Sequence, residues 1–266
     1  MPLRLTPTFR ERLSEASRPL AGMWVSSGSP LVAEICAGSG LDWVLIDMEH
    51  SPNGLESVLA QLQAVAAYPV TAVVRVPIGD VVAIKQVLDL GAQNLLVPMI
   101  SSAAEAEAVV AAVRYPPRGR RGVGAALARS ARWNRVEGYL ADADAHTSVF
   151  VQVETAAGVG AAGEIASVDG IDGVFVGPAD LAASMGLLGQ QGHPDVEAAV
   201  LRAFTAVRGA GRPVGVNAFD PEAADRYLAA GASFIAVGAD VALLARGSEA
   251  LAARFASGSD SGGPSY

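Results

Sequence analysis

One cysteine, Cys36, stands among 266 residues. An intrachain disulfide is therefore impossible, and a cysteine-rich metal site is excluded. Cys36 lies in LVAEICAG, an apolar helical pattern, and reads as a small buried hydrophobe. Lysine is as scarce: Lys85 is the only one, and only 6% of residues are aromatic. No apolar run approaches the roughly 18–20 residues that span a bilayer. The N-terminus, MPLRLTPTFRERL, does not read as a signal peptide. Basic charge is in deficit, with a formal net charge of −8. That argues against a nucleic-acid partner. Together these absences predict a soluble, cytoplasmic protein with neither nucleic acid nor membrane as partner.

What is present is apolar and small. Ala, Val, Leu and Gly dominate, and 51% of residues are hydrophobic. A beat recurs along the chain: a short Val/Ile/Leu run, a polar turn, then an Ala-rich helical stretch. Strands are expected at 21–25, 43–47, 71–76, 94–99, 148–153, 173–177, 213–217 and 234–238. Helical patterns follow at 30–37, 55–67, 81–90, 103–114, 158–167, a broken stretch 179–208, 221–230 and 241–255. Eight βα units in about 250 residues fit a (β/α)8 TIM barrel of parallel strands. An open sheet would carry a GxGxxG loop after its first strand, where this chain has SSGSP. One barrel over 1–256 is expected, with a disordered tail at 257–266.

Catalytic groups of such barrels collect where strands end. Strand two ends in LIDMEHSPNG, which places Asp47, Glu49 and His50 there. Arg75 ends strand three, Gln152 and Glu154 end strand five, Asp180 follows strand six and Asn217 ends strand seven. Bland roles exist for each. Asp180 could cap a helix, Asp47 could anchor its loop, Arg75 could bridge to Asp47 or Glu49, and His50 could be idle. Their convergence on one face is the stronger signal. Glu154 and Asp180 offer hard oxygen ligands that suit Mg²⁺ or Mn²⁺, with Co²⁺ possible in principle, rather than structural zinc. Few protein ligands leave room for a chelating 2-oxo acid. Such an ion polarises the ketone, Arg75 adds a fixed positive charge, and a histidine moves protons near neutrality. Asp47 or Asp89 could orient His50. A Schiff-base aldolase would need a barrel lysine, yet Lys85 lies in a helical pattern.

The longest connector, 115–147, begins YPPRGRRGVG. Arg114, Arg118, Arg120, Arg121, Arg129, Arg132 and Arg135 cluster in and beside it. A solvated loop making subunit contacts is the favoured reading, and attraction of an anionic substrate the sharper one.

LIDMEHSPN, VVRVP, LDLGAQNLLVPMI, YPPRGRRGVG, VQVET and GVFVGPADLAASMG together resemble the HpcH/HpaI family of metal-dependent 2-oxo-acid aldolases, in order and spacing, over about residues 10–255. The resemblance implies a (β/α)8 protomer, usually in a hexamer. It implies cleavage of a 4-hydroxy-2-oxo acid to pyruvate and an aldehyde, with a divalent ion as cofactor. Glu154 and Asp180 match the metal ligands, Arg75 the arginine at the pyruvate oxygen, and His50 the acid/base at the aldol hydroxyl. Asp47 matches a supporting acid. Asp89 matches an acid that pairs with the histidine across a subunit interface. Gln152 matches a polar residue beside the metal. Gly177, Pro178 and Ala179 match the turn that seats the pyruvate carboxylate. Arg129 becomes the connector arginine of most interest. Met48 and Ser51 replace a glycine and an alanine common in the family, which bears on substrate preference. Oxaloacetate decarboxylation, an acyl-CoA lyase of the citrate-lyase-like group and a non-catalytic binding barrel are the competing readings.

Overall fold

The structure, a computed structural model, describes residues 3–256. The expected tail at 257–266 lies outside them. Eight parallel strands pair in chain order, and the last closes on the first. They are β1 (Leu20–Val25), β2 (Trp43–Asp47), β3 (Thr71–Arg75), β4 (Asn94–Val97), β5 (Ser148–Val153), β6 (Gly173–Val176), β7 (Val214–Asn217) and β8 (Phe234–Ala239). Around them lie α2 (Pro30–Ala37), α3 (Leu55–Ala64), α4 (Val81–Asp89), α5 (Ala103–Val113), α7 (Ala156–Ser167), α9 (Pro194–Gly209), α10 (Pro221–Ala229) and α11 (Asp240–Phe255). Three shorter helices are α1 (Phe9–Glu15) before β1, α6 (Tyr139–Asp142) in the connector and α8 (Pro178–Ser184) after β6.

The βα turns supply their own helix starts. Side chains of Ser29, Asp80, Ser102, Thr155 and Asp220 accept the orphan N–H groups of α2, α4, α5, α7 and α10. Proline opens α2, α8, α9 and α10, where its missing N–H costs nothing. Outward Val and Ile side chains of the strands pack beneath these helices in the largest apolar cluster. The broken stretch expected at 179–208 is two helices, α8 and α9. The segment between them turns at Gly186 and Gly189, whose positive φ angles suit glycine. The strand expected at 94–99 stops at Val97, because Met99 takes a left-handed φ of 58°.

The barrel interior is built by pairing rings with glycines. Gly22 sits in register with Trp43, Gly173 with Phe150, and Gly215 with Phe234. A Cβ on these glycines would lie 2.3, 2.5 and 2.3 Å from the respective ring. Only glycine lets each ring fold over its neighbouring strand. Into this floor α1 inserts Phe9, whose ring centroid lies 5.2–5.4 Å from those of Trp43, Phe150 and Phe234. Asn94 fixes the plug by accepting the Phe9 N–H at 2.6 Å and the Ser148 hydroxyl at 2.8 Å. Thr8 and Glu11 form a reciprocal capping box at the start of α1.

The seam between β1 and β8 has its own staple. The Leu20 N–H donates to the Ser233 carbonyl at 3.0 Å. Past the strand ends, the buried Asp240 carboxylate accepts N–H groups of Ser26, Ser27 and Val241 at 2.8–3.0 Å.

Candidate active site at the carboxyl end of the barrel

Above the aromatic floor, the inward positions turn ionic. Asp47, in the last position of β2, is the hub. Its carboxylate takes Arg75 Nε at 2.7 Å and Nη2 at 2.8 Å in a two-point clamp. The two residues are register partners on β2 and β3, so the clamp follows from strand pairing. The same carboxylate accepts the backbone N–H of Glu49 at 3.0 Å and of His50 at 3.3 Å. The Asp47 carbonyl accepts the Ser51 hydroxyl and, at 2.6 Å, the Asn53 amide. Asn53 in turn accepts from Ser57 and from the buried Gln61. SPN after the histidine is thus a braced turn, and Ser51 makes a bond that alanine could not.

Arg75 has three neighbours. Besides Asp47, its Nη1 lies 2.7 Å from Glu49 Oε2, an ion pair without hydrogen-bond alignment. Its Cζ sits 4.3 Å from the Trp24 ring centroid. Of five guanidinium N–H groups, two go to Asp47 and one faces Glu49, which leaves two for a ligand oxygen.

Glu154, one residue beyond β5, is 1% exposed. One oxygen accepts the Met99 N–H at 2.7 Å and the other accepts the Gln152 amide. The left-handed Met99 costs about 1–2 kcal/mol, and its N–H bond to a carboxylate offsets part of that. Burial pushes the Glu154 carboxyl up to about 7, helped by the negative charges of Glu49 and Asp180. Glu49 is raised as well, chiefly by burial. Gly177 lets the chain pass this carboxylate: a Cβ there would lie 2.9 Å from Glu154 Oε2. Among the described residues, Gln152 Oε1 is buried without a partner. Among the described residues no group of three or more His, Cys, Asp and Glu forms a ready metal cage. The donor set still fits a divalent cation. Three carboxylates share one region, and their mutual repulsion is what such an ion would relieve.

The remaining expected residues fall as follows. Asp180 is exposed in the first turn of α8, but Gly177 is the N-cap, so the capping role considered for Asp180 is excluded. His50 is exposed at the mouth, and Asp47 holds its backbone rather than its imidazole. Pro178 and Ala179 open α8 beside Glu154. Asp89 ends α4 on the outer layer, with Oδ1 3.8 Å from Arg121 Nη2. One chain does not bring it to His50. Lys85 also lies on α4, outside the strands.

The arginine connector is solvated in part, with Arg118, Arg120 and Arg135 exposed, and anchored in part. Arg121 is fully buried between Tyr115 and Tyr139, with its Cζ 4.6 Å from the Tyr115 ring centroid. Arg129 donates to the Leu90 carbonyl at the C-terminus of α4. Arg114 and Arg118 pair with Asp144. Arg129 and Arg114 thus tie the connector to the helix layer, whereas the Arg118 pair lies within the connector itself.

Residues 20–247 match the family described as HpcH/HpaI aldolase/citrate lyase. The chain belongs to that family. It is 52% identical over 247 residues to a 4-hydroxy-2-oxo-heptane-1,7-dioate aldolase of Salmonella dublin, covering 93% of this chain and 94% of that protein. It is 52% identical over 257 residues to a hydroxypyruvate/pyruvate aldolase of Deinococcus radiodurans, covering 96% and 92%. A crystal structure of an HpcH/HpaI aldolase/citrate lyase family protein from Burkholderia cenocepacia J2315 superposes with a TM-score of 0.89 at 43% identity, over 94% of this chain and 99% of that one.

In this HpcH/HpaI protein Arg75 bridges to Glu49 as well as to Asp47, the two partners expected for it. Two other residues at the mouth have roles that were not expected. Trp24 is hidden in an apolar strand. Asn217 is visible at a strand end, and its partner lies 193 residues away. An indole and an amide at inward strand ends were the available signals.

Proposed function

We propose that the protein is a divalent-metal-dependent pyruvate aldolase. It cleaves a 4-hydroxy-2-oxo acid, such as 4-hydroxy-2-oxoheptanedioate, to pyruvate and an aldehyde, and catalyses the reverse addition. The observation that carries this reading is the clamped Arg75 beside a buried glutamate at the mouth of the barrel. Glu154 and Asp180, with Gln152 beside them, would hold Mg²⁺ or Mn²⁺ (or Co²⁺), which supplies Lewis-acid polarisation of the substrate ketone.

The chain's own groups do the rest. Arg75 directs its two spare N–H groups at the ketone oxygen. That interaction strengthens as the oxygen gains charge on the way to the enolate, so it serves the transition state more than the ground state. Because Asp47 and Glu49 already hold the guanidinium, little reorganisation is needed. The first-turn N–H groups of α8, which a helix leaves without i−4 partners, seat the substrate carboxylate beside Gly177, Pro178 and Ala179. His50 takes the C4 hydroxyl proton in cleavage and returns it in addition. Asp47 and Asn53 hold the loop that carries it.

A homohexamer is part of the proposal. Only Asp240 is buried along the 16 residues of α11, while Val241, Leu243, Leu244, Leu251 and Phe255 are exposed. A second copy would cover them. Assembly would also bring the half-buried Asp89, raised by burial, to the histidine of a neighbouring copy. Light scattering on the eluting protein tests the assembly. Among the described residues no helix is long and apolar enough to cross a membrane, and a cytoplasmic location belongs to the same proposal.

The test of the activity is pyruvate release from 4-hydroxy-2-oxoheptanedioate, coupled to lactate dehydrogenase. Enzyme stripped with EDTA should be silent and should recover with Mg²⁺ or Mn²⁺. Metal-independent release, or none with metal bound across a panel of aldehydes in the synthetic direction, would overturn the reading.

A further inference from the structure

Arg75 is held in its own plane by Asp47 and Glu49, but carboxylates at its edge do not stop it tilting. Its face rests on Trp24, the last inward residue of β1. The indole is itself fastened. Its Nε1–H donates to Asn217 Oδ1 at 2.8 Å. Asn217 ends β7, so this bond crosses over β8. It can do so because the β8 residue in register with Asn217 is Ala236, small and fully buried. On another side the Phe175 ring meets the indole edge-on, with centroids 6.2 Å apart. The indole therefore has one polar tether, and that tether is Asn217. Donation from the indole N–H also enriches the ring in electron density, which strengthens its hold on a guanidinium.

We propose that Asn217 is a positioning residue for Arg75, acting through Trp24. This rests on the aldolase reading, in which Arg75 meets the forming enolate. Asn217 lines a cavity of about 260 Å³ with Pro178, Ala179 and Phe219, and its amide nitrogen has no partner among the described residues. A leucine there would fill the same space but release the indole. An aspartate would keep the acceptor.

The metal-loaded enzyme is compared with N217L, N217D, W24F and the double variant W24F/N217L. Two rates are measured: pyruvate release by cleavage, and deuterium uptake into the pyruvate methyl group in D₂O, which reports enolate formation without aldehyde. UV resonance Raman reads the Trp24 indole directly, through its N–H bonding and cation–π bands, isolated by subtracting the W24F spectrum. The expected result is a fall of about tenfold in both rates for N217L, with KM little changed. W24F should match it, N217D should restore most of the loss, and the double variant should be no slower than either single one. The Trp24 bands should shift in N217L and stay in N217D. A merely structural bond would instead lower the melting temperature and leave turnover alone. Unchanged turnover in N217L, losses that multiply in the double variant, or unshifted Trp24 bands would each overturn the proposal. Failure of the parent reading looks different: the wild type itself would neither release pyruvate nor exchange its methyl protons.

Discussion

The two ends of the barrel interior are built from the same alternating strand positions by opposite rules. At the floor, Phe9, Trp43, Phe150 and Phe234 meet ring to ring, and Gly22, Gly173 and Gly215 make way for them. A polar group enters there only with its partners in place, as Asn94 does. At the mouth, Asp47, Arg75 and Glu154 are equally buried, yet charges are crowded and one carboxyl is forced up to about 7. Burial at the floor removes apolar surface from water and stabilises the fold. Burial at the mouth opposes ionisation and stores a demand for positive charge. Stability and reactivity are thus separated along one axis by a few residues of strand.

That separation can be broken by substitution. Glu154→Ala should cost the most: more than ~10³ in metal-dependent turnover, about 4 kcal/mol in barrier. Its melting temperature should change little, because relief of a buried carboxylate is set against the lost bonds to the Met99 N–H and the Gln152 amide. A large fall in melting temperature, by scanning calorimetry, would place Glu154 among the structural residues instead. Phe9→Ala is the mirror case. It should lose about 3 kcal/mol of stability in urea titrations, with kcat nearly unchanged well below the melting point. A large drop in kcat at full folding would show that the floor reaches the chemistry.

Asp47→Asn tests the one residue that serves both sides. It removes a charge from a buried pair, but Glu49 still faces Arg75, so the loss should be about 2 kcal/mol rather than the ~3–5 of a fully orphaned charge. Turnover should fall with it, since Arg75 and the His50 loop lose the same anchor. Stability lost without turnover would limit Asp47 to the fold.

The smallest effect is the pH dependence of metal affinity. Without metal, the Glu154 carboxyl is raised to about 7. Below that pH it is protonated, and binding must expel the proton. Affinity should therefore fall about tenfold per pH unit below 7 and level off above it. Calorimetry in buffers of different ionisation enthalpy counts the proton. A flat profile between pH 5.5 and 7 would remove Glu154 from the ligand set.

The legibility of this molecule follows the same divide. Strands and most mouth residues could be read from the sequence, because an ionic residue closing a Val/Ile run is visible locally. The helix α1 was not expected, although TFRE spells its capping box. Its short length and isolated Phe9 gave no periodicity to find. The glycine-to-ring matches of the floor exist only once strand register is known. The tether between Asn217 and Trp24 is hidden for the same reason. Asp89 was expected at a helix end away from the site of its own chain, and it lies there beside Arg121. In the connector, a tyrosine pair takes in Arg121 and a helix-end carbonyl takes Arg129, contacts that exist only in the fold, whereas Arg118, Arg120 and Arg135 stay exposed as a solvated loop predicts.

The seam stapled by Asp240 has a consequence for synthesis on the ribosome. β1 is made first, yet its second neighbour, β8, and the carboxylate that ties down Ser26 and Ser27 arrive only after residue 233. Through most of translation the nascent sheet therefore carries an open, apolar edge at β1. Such an edge invites pairing with another chain. Moving the chain ends elsewhere by circular permutation would let β8 and β1 emerge consecutively, and would shorten the time this edge spends unguarded.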